Sequence, residues 1–300
     1  MTSSNKLNTI NTSNTVKSRH TAGPVASAIL AVYNSESTVE ACLKSLLSQS
    51  VPIEIIIVDD GSTDTTVVSM NRFIEANQST NITLLNQSHG GPALARNLGA
   101  SHAISGILLF ADADMIFDKD YVKDLIEPIQ KGEVVGTYTI EERVANWDNV
   151  WARCWNIQEG WEDGKRFPKN PPKFGTDYRA ILKSQFDRVG GFDHIGYTDT
   201  WSLFNKLGVR PLSTQAICYH KNPDTLSAVF RQARWSAKRP YKHGLLGTLY
   251  AILRTSFPVS LVVGLAKFYK DRNFVIFKIV YDFGRFMGIF EMLLTGKLSK

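Results

Sequence analysis

The sequence predicts an α/β fold: a mostly parallel sheet with helices on both faces, followed by apolar and basic C-terminal helices. Three observations predict it. Short β-branched runs alternate with stretches of helical spacing between residues 26 and 130. Those runs are apolar throughout, which suits strands covered on both faces. A polar cluster follows each of the first four runs at its carboxyl end.

ASAILAVY (26–33) reads as the first strand. In 36–49, Val39, Cys42, Leu43, Leu46 and Leu47 recur at helical spacing. IEIIIVDD (53–60) is the second strand, stopped by Gly61. Ser62 and Asp64 suit caps for a helix near 64–77. ITLLN (82–86) is the third strand. Pro92 follows His89-Gly90-Gly91 and suits the first turn of a helix carrying Ala93, Ala95, Leu98 and Ala100. GILLFAD (106–112) is the fourth strand, and 118–130 a further helix. After about residue 132 the alternation fades, and 141–175 is rich in Trp, Glu, Lys and Pro. Trp147, Trp151 and Trp155 are four apart and suit one helix face. Such a stripe usually packs inward; an acceptor-facing aromatic wall is the alternative.

The chain has 300 residues, 43% of them hydrophobic, enough for one large domain or two small ones with a sizeable core. Three cysteines, none in a CxxC pair, exclude a disulfide scaffold and argue against a zinc ribbon. Reduced thiols in a cytosolic compartment are expected. Residues 1–24 hold 13 Ser, Thr or Asn and no apolar run, so they read as a disordered leader and not a signal peptide. Residues 25–230 carry 18 basic and 25 acidic side chains, whereas 231–300 carry 13 basic and 3 acidic. An acidic body with a basic tail excludes a general nucleic-acid binder. Basic residues mixed with aromatics suit an anionic membrane surface or a phosphate-bearing substrate. A solubilising charge bias is the bland alternative. The expected division is a leader (1–24), a catalytic domain (25–235) and a membrane-associating helical region (236–300).

Ligands of open α/β sheets bind outside the carboxyl ends of the strands. Here those ends carry Tyr33-Asn34, Asp59-Asp60-Gly61-Ser62, Asn86 to Gly91, and Asp112-Ala113-Asp114. Two carboxylates two residues apart after ILLFA disfavour each other's ionisation unless a cation intervenes. A divalent ion, Mn²⁺ or Mg²⁺, together with a diphosphate would resolve that conflict.

With ILAVYN (29–34), VDDGSTD (58–64), GGPALARNLG (90–99), FADADM (110–115) and VGGFD (189–193), the chain resembles the family 2 glycosyltransferases over roughly 26–235. Those are inverting, nucleotide-sugar-dependent enzymes of the GT-A fold. The resemblance implies that Val32, Tyr33 and Asn34 line the nucleotide pocket. It implies that Asp60, beside Asp59, contacts the base or ribose, and that Arg96 and Asn97 flank the same pocket. It implies that Asp112 contacts sugar or ribose, with Ala113 beside it, and that Asp114 holds the metal. Inversion needs a carboxylate to take the acceptor proton. The family supplies it from a Glu-Asp pair after the GGFD turn; here Thr198 replaces the Glu and Asp199 remains, so Asp199 is the expected base. A helix N-cap is the alternative role for Asp199. His220, closing AICYH (216–220), is a candidate metal ligand or an ordinary strand-end residue.

Gln232-Ala233-Arg234-Trp235 is similar to the QxxRW element of processive synthases, but Arg231 occupies the aligned Gln place, so processive transfer is not implied. Arg231, Arg234 and Lys238, with Trp235, are candidates to meet a diphosphate or acceptor phosphate from a basic helix at 231–242. Residues 244–253 and 255–266 are apolar but split by Arg254 and Pro258, too short for a ~20-residue membrane span. In 274–294, Lys278, Asp282 and Arg285 form one narrow charged stripe. Peripheral attachment to the cytoplasmic face of a membrane is the expectation, with a tilted or re-entrant hairpin at 244–266 as the alternative. The expected reaction transfers a sugar from a nucleotide-diphosphate donor to a glycan or lipid-linked acceptor. Transfer to a polyprenyl phosphate and a non-catalytic nucleotide-sugar-binding module are the rivals. A sugar nucleotidyltransferase is disfavoured, because Asn34-Ser35-Glu36-Ser37 lacks the Gly, Arg or Lys of a phosphate loop.

Overall fold

The computed structural model describes residues 23–77, 81–195 and 199–299. All but the last two residues of the expected leader, and Thr198, lie outside them. In chain order the first half runs β1 (Ala26–Val32), α1 (Val39–Leu47), β2 (Ile53–Asp59), α2 (Thr66–Ala76), β3 (Ile82–Asn86), α3 (Pro92–His102), β4 (Ile107–Asp112), β5 (Met115–Phe117) and α4 (Tyr121–Gln130). Then follow β6 (Gly136–Val144), α5 (Val150–Glu159), β7 (Ala180–Leu182), α6 (Lys183–Arg188), α7 (Asp199–Leu207) and β8 (Leu212–His220). Four helices close the chain: α8 (Leu226–Ala237), α9 (Gly244–Arg254), α10 (Phe257–Ala266) and α11 (Phe274–Thr295).

The eight strands form one sheet in the order β3-β2-β1-β4-β7-β6-β8-β5. The β1–β2, β1–β4, β2–β3 and β6–β8 pairs are parallel. The β4–β7, β6–β7 and β5–β8 pairs are antiparallel. The apolar strands have a direct explanation. Ala28, Leu30 and Val32 of β1 pack into one core, with Leu43 and Leu46 of α1 and Leu125 of α4, while Ile29 faces a second core with Ala95 of α3 and Phe186 of α6. Burying each such Leu or Ile contributes about 2 kcal/mol.

Local chemistry moves several expected boundaries. The helix expected near 64–77 begins at Thr66, where Asp64 accepts the Thr66 N–H at 3.0 Å. The helix expected at 118–130 begins at Tyr121. The basic helix expected at 231–242 starts at Leu226 and stops at Ala237, three residues before Pro240. Proline biases the residue before it away from the helical region and has no N–H to continue the ladder. Trp151, Trp155 and Trp161 pack with Val229 of α8 and with Phe274, Phe277 and Tyr281 of α11, which is the inward packing expected of the stripe. Trp147 precedes α5, whose first turn is capped by Asn149.

The last four helices bury a charged pair beside their apolar core and leave a large apolar surface outside. Lys278 and Asp282 are buried and paired at 2.9 Å, and Ser260 of α10 donates to Asp282 at 2.7 Å. The expected charged stripe of α11 therefore faces inward in part, towards α10. Outward point Leu245, Leu246, Leu249, Leu253, Phe257 and Val262, each more than half exposed. Among the described residues no single helix is long and apolar enough to cross a membrane, although α9 and α10 would suffice together, bent by 61°.

Helix α8 lies close along α11. A Cβ added at Gly288 would stand 2.1 Å from the Arg234 carbonyl oxygen, and one at Gly284 2.6 Å from that of Phe230. Backbone therefore meets backbone, with Ala233 and Ala237 completing the seam. A Gly288→Leu substitution is expected to force the helices apart and destabilise the protein by about 2–3 kcal/mol in urea unfolding. Val262→Ser, on the exposed outer face, is expected to stay within about 0.5 kcal/mol of the parent.

Candidate active site

The carboxyl ends of β1, β2 and β3 are stitched together by their loops. Asn34 has a left-handed φ of 48°; its N–H donates to Ser62 Oγ at 3.0 Å, and its Oδ1 accepts the Thr63 N–H at 2.8 Å. Thr65 donates from its N–H and hydroxyl to Glu36 Oε2. Val32 has its side chain in the core and offers its carbonyl to the Asp60 N–H. Asp59 is buried and accepts the Ser62 N–H at 3.2 Å.

Asp60, also buried, is the organiser of the 87–91 turn. Its Oδ1 accepts from Gln87 Nε2 at 2.6 Å and from the Gly90 N–H at 2.8 Å. Its Oδ2 accepts the Gly91 N–H at 2.8 Å and faces His89 Nδ1 at 2.9 Å. Four partners occupy the four lone-pair directions of a carboxylate. His89 in turn stacks on Tyr33, ring centroids 4.1 Å apart, and both residues are exposed.

Beyond the end of β4 lies a chain of alternating charges. Asp112 Oδ1 accepts from Arg96 of α3 at 2.8 Å, and its Oδ2 from Arg179 at 2.8 Å. Arg179 also faces Glu142 of β6 at 3.6 Å, and Arg166 pairs with Glu142 at 3.2 Å. Glu142 meets His220 Nδ1 at 2.7 Å, and His220 Nε2 meets Asp114 at 3.0 Å. Strand register makes these contacts. Met115 of β5 is paired with His220 of β8, which sets Asp114 beside the imidazole. Glu142 is paired with Cys218, two residues and one pleat before His220. The Arg179 carbonyl accepts the Phe110 N–H, which brings Arg179 alongside the end of β4.

Burial alone would raise the Asp112 pKa; the guanidinium groups of Arg179 and Arg96 overcome it and hold the carboxyl well below its usual range. Glu142 is likewise buried, and Arg166, His220 and Arg179 hold it low. For Asp114, His220 outweighs burial and lowers the pKa. Burial and Arg166 act against the imidazolium of His220, but Asp114 and Glu142 raise its pKa overall. Protein cations thus offset part of the conflict between the two carboxylates, Arg96 and Arg179 at Asp112 and His220 at Asp114, while Asp112 still acts to raise the Asp114 pKa. Ala113, between them, is buried.

Two donors face one another where a metal was expected, Asp114 and His220 Nε2. Among the described residues no group of three or more His, Cys, Asp and Glu side chains is placed to hold an ion. The pair fits a Mg²⁺ or Mn²⁺ ion that takes its remaining ligands from a diphosphate and water.

The side chain of Asp199 and residues 196–198 lie outside the described residues; the turn at 190–193 and helix α7 stand on either side of them. Asn97 clamps the preceding turn: Oδ1 accepts the Phe192 N–H at 2.9 Å and Nδ2 donates to the Phe192 carbonyl at 2.8 Å. Gly191, with φ of 69°, passes so near that an added Cβ would lie 2.5 Å from Asn97 Oδ1. The Asp193 N–H donates to Ser202 of α7, and Lys206 pairs with Asp193 at 2.8 Å. α7 starts at Asp199 itself. Of the basic candidates, Arg231 donates to Ser227 within its own helix, and Arg234 and Lys238 pair with Glu291 of α11. Trp235 is half-buried on α8.

Sequence reasoning did not single out Arg179, Glu142, Arg166, Gln87 or His89 in these roles. His89 and Gln87 stood in a strand-end cluster already marked. Glu142 and Arg179 carried little signal: Glu142 stands between Glu141 and Arg143 in a largely polar strand, and Arg179 immediately precedes β7.

Asp112 and Glu142 have pKa values below those of the unfolded chain. Their pairs contribute fully above about pH 5, and that contribution is lost as pH falls through the carboxylate range near 4 and below. Arg179→Ala is expected to cost about 3 kcal/mol at pH 7, because it leaves two carboxylates under-compensated. Acid unfolding followed by circular dichroism is expected to shift to higher pH by about one unit.

Residues 27–191 match the model of the glycosyl transferase family 2. The poly-beta-1,6-N-acetyl-D-glucosamine synthase of Staphylococcus epidermidis is 28% identical over 232 residues, 74% of this chain and 56% of the synthase. Glycosyltransferase GlyA of Streptococcus pneumoniae is 34% identical over 114 residues, 37% of this chain and 16% of GlyA. The chain spans about half the length of the curated synthases it matches first. Among solved structures, the mannosyltransferase PcManGT of Pyrobaculum calidifontis, in complex with GDP-Man and Mn²⁺, has a TM-score of 0.61 at 18% identity, covering 92% of this chain and 89% of its own. TarS of S. aureus in complex with UDP-GlcNAc has a TM-score of 0.51 at 15% identity, covering 92% and 93%. The architecture is thus that of the GT-A glycosyltransferases, and with more than half its length under the family model, this chain belongs to glycosyl transferase family 2.

Proposed function

We propose that this chain is a metal-dependent, inverting glycosyltransferase. It moves a sugar from a nucleotide-diphosphate donor to a hydroxyl of a glycan or lipid-linked acceptor, in polysaccharide or glycolipid assembly at the cytoplasmic face of a membrane. The observation that carries the reading is the meeting of Asp114 with His220 Nε2, beyond strand ends whose hydrogen-bonded loops carry the stacked Tyr33 and His89.

Tyr33 and the turn held by Asp60 receive the base, with Asn34 and Asp59 shaping the rim. Arg96 and Asn97 support the pocket from α3, and Asp112 with its two arginines presents a fixed charge pattern to the ribose and sugar. Asp114 and His220 are the residues that would hold Mn²⁺ or Mg²⁺, and when bound the ion neutralises charge on the departing diphosphate. Asp199 takes the acceptor hydroxyl proton. The acceptor oxygen then forms its bond to the anomeric carbon from the face opposite the leaving group, and the electron pair of the breaking carbon–oxygen bond goes to the nucleotide diphosphate.

Membrane docking through 236–300 is supported by the exposed apolar surface of α9–α11, with Lys242, Arg254, Lys270 and Arg272 set among its apolar residues. Three free, buried cysteines suit a reducing compartment. The polyprenyl-phosphate rival needs the basic face of α8, where Arg234 and Lys238 share one carboxylate, Glu291.

Release of nucleotide diphosphate from UDP-, GDP- and dTDP-sugars with Mn²⁺ and membrane extract tests the chemistry. Wild type is expected to release one of them, and Asp114→Ala and Asp199→Asn to lose about 100-fold or more. Unchanged release by Asp199→Asn would remove that residue as the base. For docking, wild type is expected to float with anionic phosphatidylglycerol vesicles at low salt, and Leu246→Glu/Leu253→Glu to remain in the soluble fraction. Equal flotation of both would count against the helical surface.

A further inference from the structure

We propose that Glu142 is a positioning residue which fixes His220 with its proton on Nδ1, so that Nε2 is presented to the ion. The inference rests on the metal reading above and extends it from the ligands to what orients them.

The placement is built into the sheet. β6 and β8 run parallel, with Glu142 beside Cys218 and Val144 beside His220. The glutamate reaches forward along that face to Nδ1 at 2.7 Å. It is buried, 6% exposed, so few alternatives to this bond are available from solvent. It is also prevented from rotating away. Arg166 pairs with its carboxylate at 3.2 Å, Arg179 faces the other oxygen at 3.6 Å, and the Arg166 N–H donates to the Glu142 carbonyl at 2.7 Å. Arg166 is steadied in turn by lying over the Trp161 ring at 5.3 Å.

A carboxylate flanked by two guanidinium groups carries no proton to donate, so the hydrogen in the Glu142–His220 bond belongs to Nδ1. Asp114 faces Nε2 as Glu142 faces Nδ1, and only the Nε2 proton has to leave for an ion to be held; the neutral ring then carries its lone pair on Nε2. Nε2 is the nitrogen that points at Asp114. Carboxylate partners of this kind fix the tautomer and ring orientation of ligating histidines, and removing them typically costs about 10–100-fold in metal affinity. A nitrogen ligand also biases the pair towards Mn²⁺ over the more oxygen-demanding Mg²⁺. Glu142 thus bears on which ion is preferred without touching the ion.

The tautomer is read in wild type with Mg²⁺ and UDP or GDP at pH 8 by long-range ¹H–¹⁵N correlation of ¹⁵N-histidine protein, with His220→Gln assigning the signal. The Nδ1–H form is expected; the Nε2–H form overturns the proposal without any variant. Titrations with Mn²⁺ and with Mg²⁺, in the presence of UDP or GDP, then compare wild type, Glu142→Ala and Glu142→Gln. Glu142→Ala is expected to lose about 10–100-fold for Mn²⁺ and less for Mg²⁺. Glu142→Gln keeps an acceptor for Nδ1–H and is expected to recover most of the Mn²⁺ affinity. Failure of wild type to bind either ion removes the metal reading and this proposal with it. Equal Mn²⁺ binding by wild type and Glu142→Ala overturns this proposal alone. An equal loss for both ions, unrelieved in Glu142→Gln, assigns Glu142 a purely structural part and overturns it too.

Discussion

Asp112 between two guanidinium groups is the interaction on which the site depends. Arg96 comes from a helix after β3 and Arg179 from beside β7, so one carboxylate ties together parts of the chain that no local pattern joins. The charge chain continues through Arg179 to Glu142, His220 and Asp114. Each buried charge has an opposite neighbour, which makes the set tolerable in a low-dielectric setting. Breaking any link strands a charge on the next residue. The arrangement therefore behaves as a unit.

A second constraint works at the carboxyl ends of β1 to β3. There the hydrogen bonds run almost entirely between short polar side chains and backbone N–H groups: Asn34 to Thr63, Asp59 to Ser62, Asp60 to Gly90 and Gly91. Such bonds fix loop shape and leave the aromatic faces of Tyr33 and His89 at the surface of the rim. The resemblance implies a base or ribose contact for Asp60; in the fold its oxygens hold the 87–91 turn.

How far the sequence could be read follows from distance along the chain. The strands at 26–33, 53–60 and 106–112 were legible because burial on both faces leaves a nearly unbroken apolar run; 82–86, a partly exposed edge strand, was legible from its short β-branched and aliphatic run, and all observed bounds differ by one residue at most. The Asp114–His220 meeting was an expectation of resemblance, and the register of β5 on β8 explains it. Glu142 and Arg179 were hidden because their partners lie 78 and 67 residues away, and nothing local encodes a strand register over such spans. The inward turn of Lys278 and Asp282 was hidden for another reason. A charged stripe at spacings of three and four normally marks the solvated face, and only the packing of α10 reveals that it is covered. The overlong basic helix was an avoidable error, since Pro240 stands in the sequence as its stop signal.

The glycine seam between α8 and α11 has a mechanical consequence. β8 ends at His220 and α8 begins at Leu226, so six steps of chain join the candidate ion-holding strand to the helix welded to α11. Backbone-to-backbone packing at Gly284 and Gly288 leaves almost no slack in that joint. On a bilayer the outer helical surface would then act as a spacer of set height, holding the reaction centre at one level above the lipid. Only acceptor groups presented at that level would be in reach, which makes the stiffness of a helix pair a form of substrate selection.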